Sequence, residues 1–69
     1  MTKYIVYYRL RTGETRYIVR LENKRPYSSL DRRLAFEYET KEMAEFVAYQ
    51  AYKYSGITWR VMEAEQPDD

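Results

Sequence analysis

Sixty-nine residues, 45% hydrophobic and 33% charged, specify one small globular domain, and the absence of cysteine and histidine excludes disulfides, histidine-based triads and ordinary zinc, haem or iron–sulfur sites. The longest apolar run, residues 4–8, is far short of the roughly 20 residues of a membrane span, so a cytoplasmic protein without membrane contact is expected. The net charge of +1 hides a dipole: residues 1–33 carry nine Lys or Arg against three Asp or Glu, and residues 34–69 carry three against eight.

Residues 3–11, KYIVYYRLR, alternate Tyr4, Val6, Tyr8 and Leu10 with Lys3, Ile5, Tyr7, Arg9 and Arg11, the period of a β-strand. Residues 15–22 alternate in the same way, and Gly13 between the two runs predicts a hairpin. A two-residue loop at Gly13-Glu14 sets Tyr8 opposite Val19, and one at Thr12-Gly13 sets it opposite Tyr17; a bulged loop around Gly13 stays open as a third form. Residues 22–33, ENKRPYSSLDRR, read as a loop, because Pro26 lacks an amide donor and serines and charges surround it.

Leu34, Phe36 and Tyr38 alternate with Ala35, Glu37 and Glu39 and predict a short third strand. Thr40 as N-cap, Glu42 in the first turn, Lys53 in the last and Gly56 at the left-handed position delimit a helix over 41–55. Its apolar stripe is Met43, Val47, Ala51 and Tyr54, flanked by Ala44 and Phe46, with Lys41, Glu45, Tyr49 and Tyr52 pointing away. A last strand alternates Ile57, Trp59 and Val61 with Thr58, Arg60 and Met62. The domain is thus expected over 1–65, with 66–69 an acidic mobile tail.

The order β-β-(β)-α-β gives an α+β two-layer sandwich: a mainly antiparallel sheet of three or four strands with the helix on one face. A right-handed crossover through the helix sets the last strand parallel to the strand it joins.

Residues 34–65, LAFEYETKEMAEFVAYQAYKYSGITWRVMEAE, are similar to a pattern in small uncharacterised phage and prophage proteins: a strand ending in Phe, Thr-Lys-Glu-x-Ala-Glu, an aromatic-rich helix, and a closing strand with Trp or Tyr followed by valine and acids. The resemblance carries over no functional residues. It implies a phage-type source, the host cytoplasm as location, and action by binding and disabling host machinery as an inhibitor or modulator.

Catalysis at neutral pH draws mostly on histidine, cysteine or a metal, and the carboxylate pairs here, Glu37 with Glu39 and Glu42 with Glu45, are best read as solvating exposed faces. Gly13 and Gly56 stand alone, so no loop cradles phosphate. A non-enzymatic protein with neither metal nor cofactor is expected.

One face of each strand must meet the helix, and the series with fewest charges belongs there: Tyr4, Val6, Tyr8 and Leu10; Tyr17, Val19 and Leu21; Leu34, Phe36 and Tyr38; Ile57, Trp59 and Val61. The opposite face then carries Lys3, Ile5, Tyr7, Arg9 and Arg11, then Arg16, Ile18 and Arg20, then Arg60 and Met62. No second helix covers it, and an apolar centre ringed by arginine and tyrosine has the composition of an interface. The expected partner is an acidic protein surface, held by bidentate arginines and anchored by tyrosine and isoleucine. A single-stranded nucleic acid stacked on the tyrosines is the runner-up, less favoured at a net charge of +1, and a homodimer through the same patch is the third reading. A second, smaller candidate is the outward helix face, Glu45, Tyr49 and Tyr52, whose competing account is plain solvent exposure.

Overall fold

In a computed structural model, which describes residues 1–67, the first alternating run forms strand β1 (Tyr4–Arg9) and the second forms β2 (Thr15–Glu22). The loop between them is the bulged form. The Leu10 N–H donates to Glu14 O at 2.7 Å and the Gly13 N–H to Leu10 O at 3.0 Å, with Gly13 at φ 94°. A three-residue loop with a left-handed glycine is a standard hairpin closure. It pairs Tyr7 with Tyr17 and Tyr8 with Arg16. The parity of β2 is therefore the reverse of that given by either two-residue loop. Ile18, fully buried, joins Val6 on the helix side, and Tyr17, expected there, lies on the opposite face with Ile5 and Met62.

Residues 22–33 hold a strand where a loop was expected. Asn23 (φ 51°) and Lys24 (φ 65°) make a tight turn of the hairpin type that needs two positive φ angles, and β3 (Arg25–Ser29) returns along β2 with Glu22 opposite Arg25. Pro26 is tolerated because β3 is an edge strand. Between Ile18 and Arg20 the ladder slips by one residue, a β-bulge at Val19. The slip restores Leu21 to the helix side although it lies an odd number of residues from Ile18.

Where β2 bends away, the expected third strand at 34–38 supplies single hydrogen bonds instead of a ladder. Phe36 N–H donates to Ile18 O at 3.0 Å, and Tyr38 exchanges both backbone bonds with Tyr4, at 2.8 and 2.7 Å. Only Tyr38 of the expected series is buried; Leu34 and Phe36 are exposed, Leu34 closing a short 3₁₀ turn (Arg32–Leu34). Asp31 caps that turn, accepting from Arg33 N at 2.9 Å and pairing with its guanidinium, which holds the Asp31 carboxyl below its ordinary value.

Helix α1 (Lys41–Ser55) has the expected limits: Thr40 Oγ1 accepts from Met43 N at 3.1 Å, and Gly56, at φ 75°, donates to Tyr52 O at 2.7 Å. Its buried stripe is Ala44, Ala48 and Ala51 with Val47 beside them, so Met43 and Tyr54 are turned out to the flank. Small side chains let the helix approach the sheet, and the rings of Tyr8 on β1, of Tyr38 and of Trp59 just before β4 fill the layer instead. No described helix is long and apolar enough to cross a membrane.

Strand β4 (Arg60–Glu63) runs antiparallel to β1, not parallel to its neighbour, completing an open sheet of order β3-β2-β1-β4. The fold is a small α+β sandwich with an antiparallel sheet and one helix among the described residues. The second sheet face is partly covered by irregular chain. Ala35 and Ala64 pack on Ile5, Tyr17 and Met62, and the Arg32 guanidinium lies over the Tyr17 ring while donating to Ala64 O at 3.1 Å and to Gln66 O. Gln66, expected in the mobile tail, is thereby bonded to the domain, and Asp68 and Asp69 lie outside the described residues.

Two stability predictions follow from this packing. Ile18→Ala should cost about 2–4 kcal/mol by denaturant unfolding, and Val19→Ala, at the half-buried bulge, well under half of that; the reverse order would mean the two-residue hairpin register. Burial pushes the Tyr38 phenol from 10.0 up to about 12. The unfolded chain then ionises first, so this contribution is whole below pH 10 and is lost as pH rises toward about 12. Tyr38→Phe should flatten the alkaline fall in stability over that window, and parallel pH profiles for the two proteins would contradict the assignment.

Candidate binding groove

The arginine-rich face expected from the sequence does not form as one patch. Ile5 and Met62, at 2% and 9% exposure, are core residues under the Ala35 and Ala64 segments, and Ile18, at 0%, sits beneath the helix. None of the three reaches a partner. Arg16, opposite Tyr8, is on the helix side and donates to Ser28 Oγ at 2.9 Å and Ser28 O at 3.3 Å. Arg20 pairs with Glu22 at 3.1 Å and stacks 4.6 Å over Tyr27, and Arg11 is exposed in the Gly13 loop. The hairpin parity and the Val19 bulge scatter these cations.

The other expected residues come together. Tyr7, Glu45, Tyr49, Tyr52 and Arg60 line one open hollow of about 540 Å³ between α1 and β4, and Tyr7, Arg9 and Arg60 line an adjoining one of about 500 Å³. What the alternation assigned to two separate surfaces, a sheet face and a helix face, is one groove. The sequence reading missed Thr58 and Lys41 as members, and placed Trp59 in the core without its groove edge. Lys41 shares the outward stripe of Glu45, Tyr49 and Tyr52, so helical periodicity already grouped it with them.

Two features hold the groove's shape. Trp59 is buried edge-on against Tyr8, with ring centres 4.6 Å apart and planes at 83°. Its Nε1–H donates to Ser55 Oγ at 3.2 Å, and the same oxygen accepts from Ile57 N at 3.2 Å while its own hydrogen goes to Ala51 O at 2.6 Å. The last turn of α1 is thus bonded to the chain that enters β4. One turn along α1 from Tyr49, and outside the groove lining, Lys53 Nζ lies 5.5 Å from the Tyr49 ring.

Beside the groove runs the free edge of β4. Ala64 N–H donates to Lys3 O at 2.7 Å, continuing the register that pairs Met62 with Ile5 and Arg60 with Tyr7. In an antiparallel ladder hydrogen-bonded pairs alternate, so Val61 N–H and O and Glu63 N–H point outward along the unpaired edge, while Glu63 O is taken by Gln66 N at 3.0 Å. An edge with open amides and carbonyls next to a side-chain groove is the geometry that accepts an added strand. Among the described residues no three carboxylates gather as metal ligands.

No protein-family model, curated protein or solved structure matches the chain.

Ser55→Ala leaves the Trp59 Nε1–H without its acceptor in a buried position; it should cost about 1–3 kcal/mol in unfolding free energy and shift the emission of the sole tryptophan. Unchanged stability and emission would show that the hydroxyl does not hold the groove wall.

Proposed function

We propose that this is a non-enzymatic binding protein that takes an extended, acidic segment of another protein along β4, in the groove walled by α1. The observation that carries the reading is the convergence of Tyr7, Tyr49, Tyr52, Lys41 and Arg60 on the open edge of a strand. Main-chain bonds to Val61 N–H and O and to Glu63 N–H supply affinity without regard to sequence, and the groove reads alternate side chains. Tyrosine gives wide contact at little entropic cost, and Lys41 and Arg60 favour carboxylates. In the setting implied by the phage-type resemblance, the acidic segment belongs to host machinery and its capture inhibits or modulates that machinery.

A single-stranded nucleic acid is the second reading, favoured by exposed tyrosines beside cations. Arg16 and Arg20 are engaged elsewhere in the fold, which leaves few cations at the groove to follow a polyphosphate backbone.

Titrating the protein with a short synthetic peptide alternating glutamate with valine and tyrosine, and separately with oligo(dT), distinguishes the two. The peptide should shift Trp59 emission and the amide signals of Val61 and Glu63, and Arg60→Glu or Tyr49→Ala should weaken it by about tenfold or more. Oligo(dT) binding with a steep salt dependence and no response to the peptide would replace this reading with the second.

A further inference from the structure

We propose that the chain also pairs with a second copy of itself, through the flank of α1 opposite the groove. Met43 and Phe46 stand 51% and 62% exposed there and, with Tyr38 and Val47, line an apolar hollow of about 330 Å³ that has Glu42 at its rim. The exposed Phe36 ring extends this surface, its centre 4.7 Å from that of Tyr38.

The occupant is named by the order of chemistry along the flank. At the N-terminal end stands Glu42; the middle is Met43 and Phe46; at the C-terminal end Lys53, Gln50 and Tyr54 gather with Lys24 of the β2–β3 turn. Such a surface is complementary to itself. A two-fold axis near Phe46 and Gln50 sets two copies of α1 antiparallel, brings Glu42 beside the partner's Lys53 at both ends, and packs each Phe46 into the apolar middle of the other copy. Met43, Val47, Gln50 and Tyr54, spaced four, three and four, supply the seam of such a helix pair. The opposed helix dipoles add to the match. Lys53 must give up its exposed contact with Tyr49, which is weak enough to be exchanged for an ion pair.

Sedimentation equilibrium of the full chain over a concentration series tests this. A reversible monomer–dimer equilibrium is expected, weakened about thirtyfold or more by Phe46→Glu and in the same direction by Phe46→Ala, since Phe46 is exposed in the monomer and its loss leaves the fold intact. Lys53→Glu should weaken the dimer about tenfold, and Glu42→Lys with Lys53→Glu should recover it, because the reversed pair re-forms across the axis. Circular dichroism confirms that each variant keeps its helix. A chain that stays monomeric at every concentration, a dimer indifferent to Phe46→Glu, or a double variant no tighter than Lys53→Glu would overturn the proposal. So would a monomer whose Phe46 flank instead takes up an added basic amphipathic helical peptide.

Discussion

Gly13 holds a φ of 94°, and that backbone state lets a three-residue loop close the first hairpin in the register Tyr7 opposite Tyr17. A Cβ at residue 13 would meet nothing within 4 Å, so the demand is for the left-handed conformation and not for space. Because side chains alternate with a period of two, this loop length decides which of Tyr17 and Ile18 lies beneath the helix. It selects Ile18. The tyrosine is left for the other face, where its ring can be covered by the Arg32 guanidinium, and the aliphatic side chain enters the drier layer under the alanine stripe.

The Val19 bulge then does for the far half of β2 what Gly13 does for the near half. Without it, Leu21 would sit on the face of Tyr17; with it, Ile18 and Leu21 both serve the helix side and β2 bends away from β1. The opening exposes Tyr4 and Ile18 backbone groups, which Tyr38 and Phe36 satisfy. One slipped residue thereby explains why the chain before α1 is pinned to the sheet although it is not a strand. The pinning in turn sets Thr40 where it caps the helix, and carries Ala35 over the second small core.

Elements whose signals are local were legible in the sequence. Thr40, Gly56 and the charges at either end set α1 to the residue, and the uninterrupted alternation of β1 put Val6 and Tyr8 on the correct side. What failed depended on pairing. Nothing in residues 15–22 states that Val19 is extra, since the bulge exists only relative to β3, and β3 itself was concealed by Pro26, which is harmless on an edge but argues against a strand when the edge is not known. The helix stripe was rotated for a related reason: hydrophobicity scales rank methionine and tyrosine as core formers, whereas close approach to a sheet carrying Tyr8, Tyr38 and Trp59 rewards alanine. The groove shows the same division. Its members were named as two groups because the proximity of α1 to β4 is a tertiary fact, which neither period contains.

A narrow alanine stripe has a further consequence for a helix of fifteen residues: it buries little of the circumference and leaves two flanks with large side chains. One flank carries Lys41, Glu45, Tyr49 and Tyr52, polar-tipped and set against the open edge of β4; the other carries Met43 and Phe46, with Glu42 and Lys53 toward its ends. The chemistry of each suits a different contact, adaptable and wet on the first, dry and self-matching on the second. The flanks meet where Lys53 approaches the Tyr49 ring, a contact that pairing at Phe46 releases, and the rest of the groove stays open. A pair of chains joined at Phe46 would therefore present two grooves at a fixed separation, and a partner bearing repeated acidic segments would gain from the second engagement without any new kind of contact. For a domain too small to build a deep pocket, two shallow grooves held in one rigid frame are a physically economical route to tight binding.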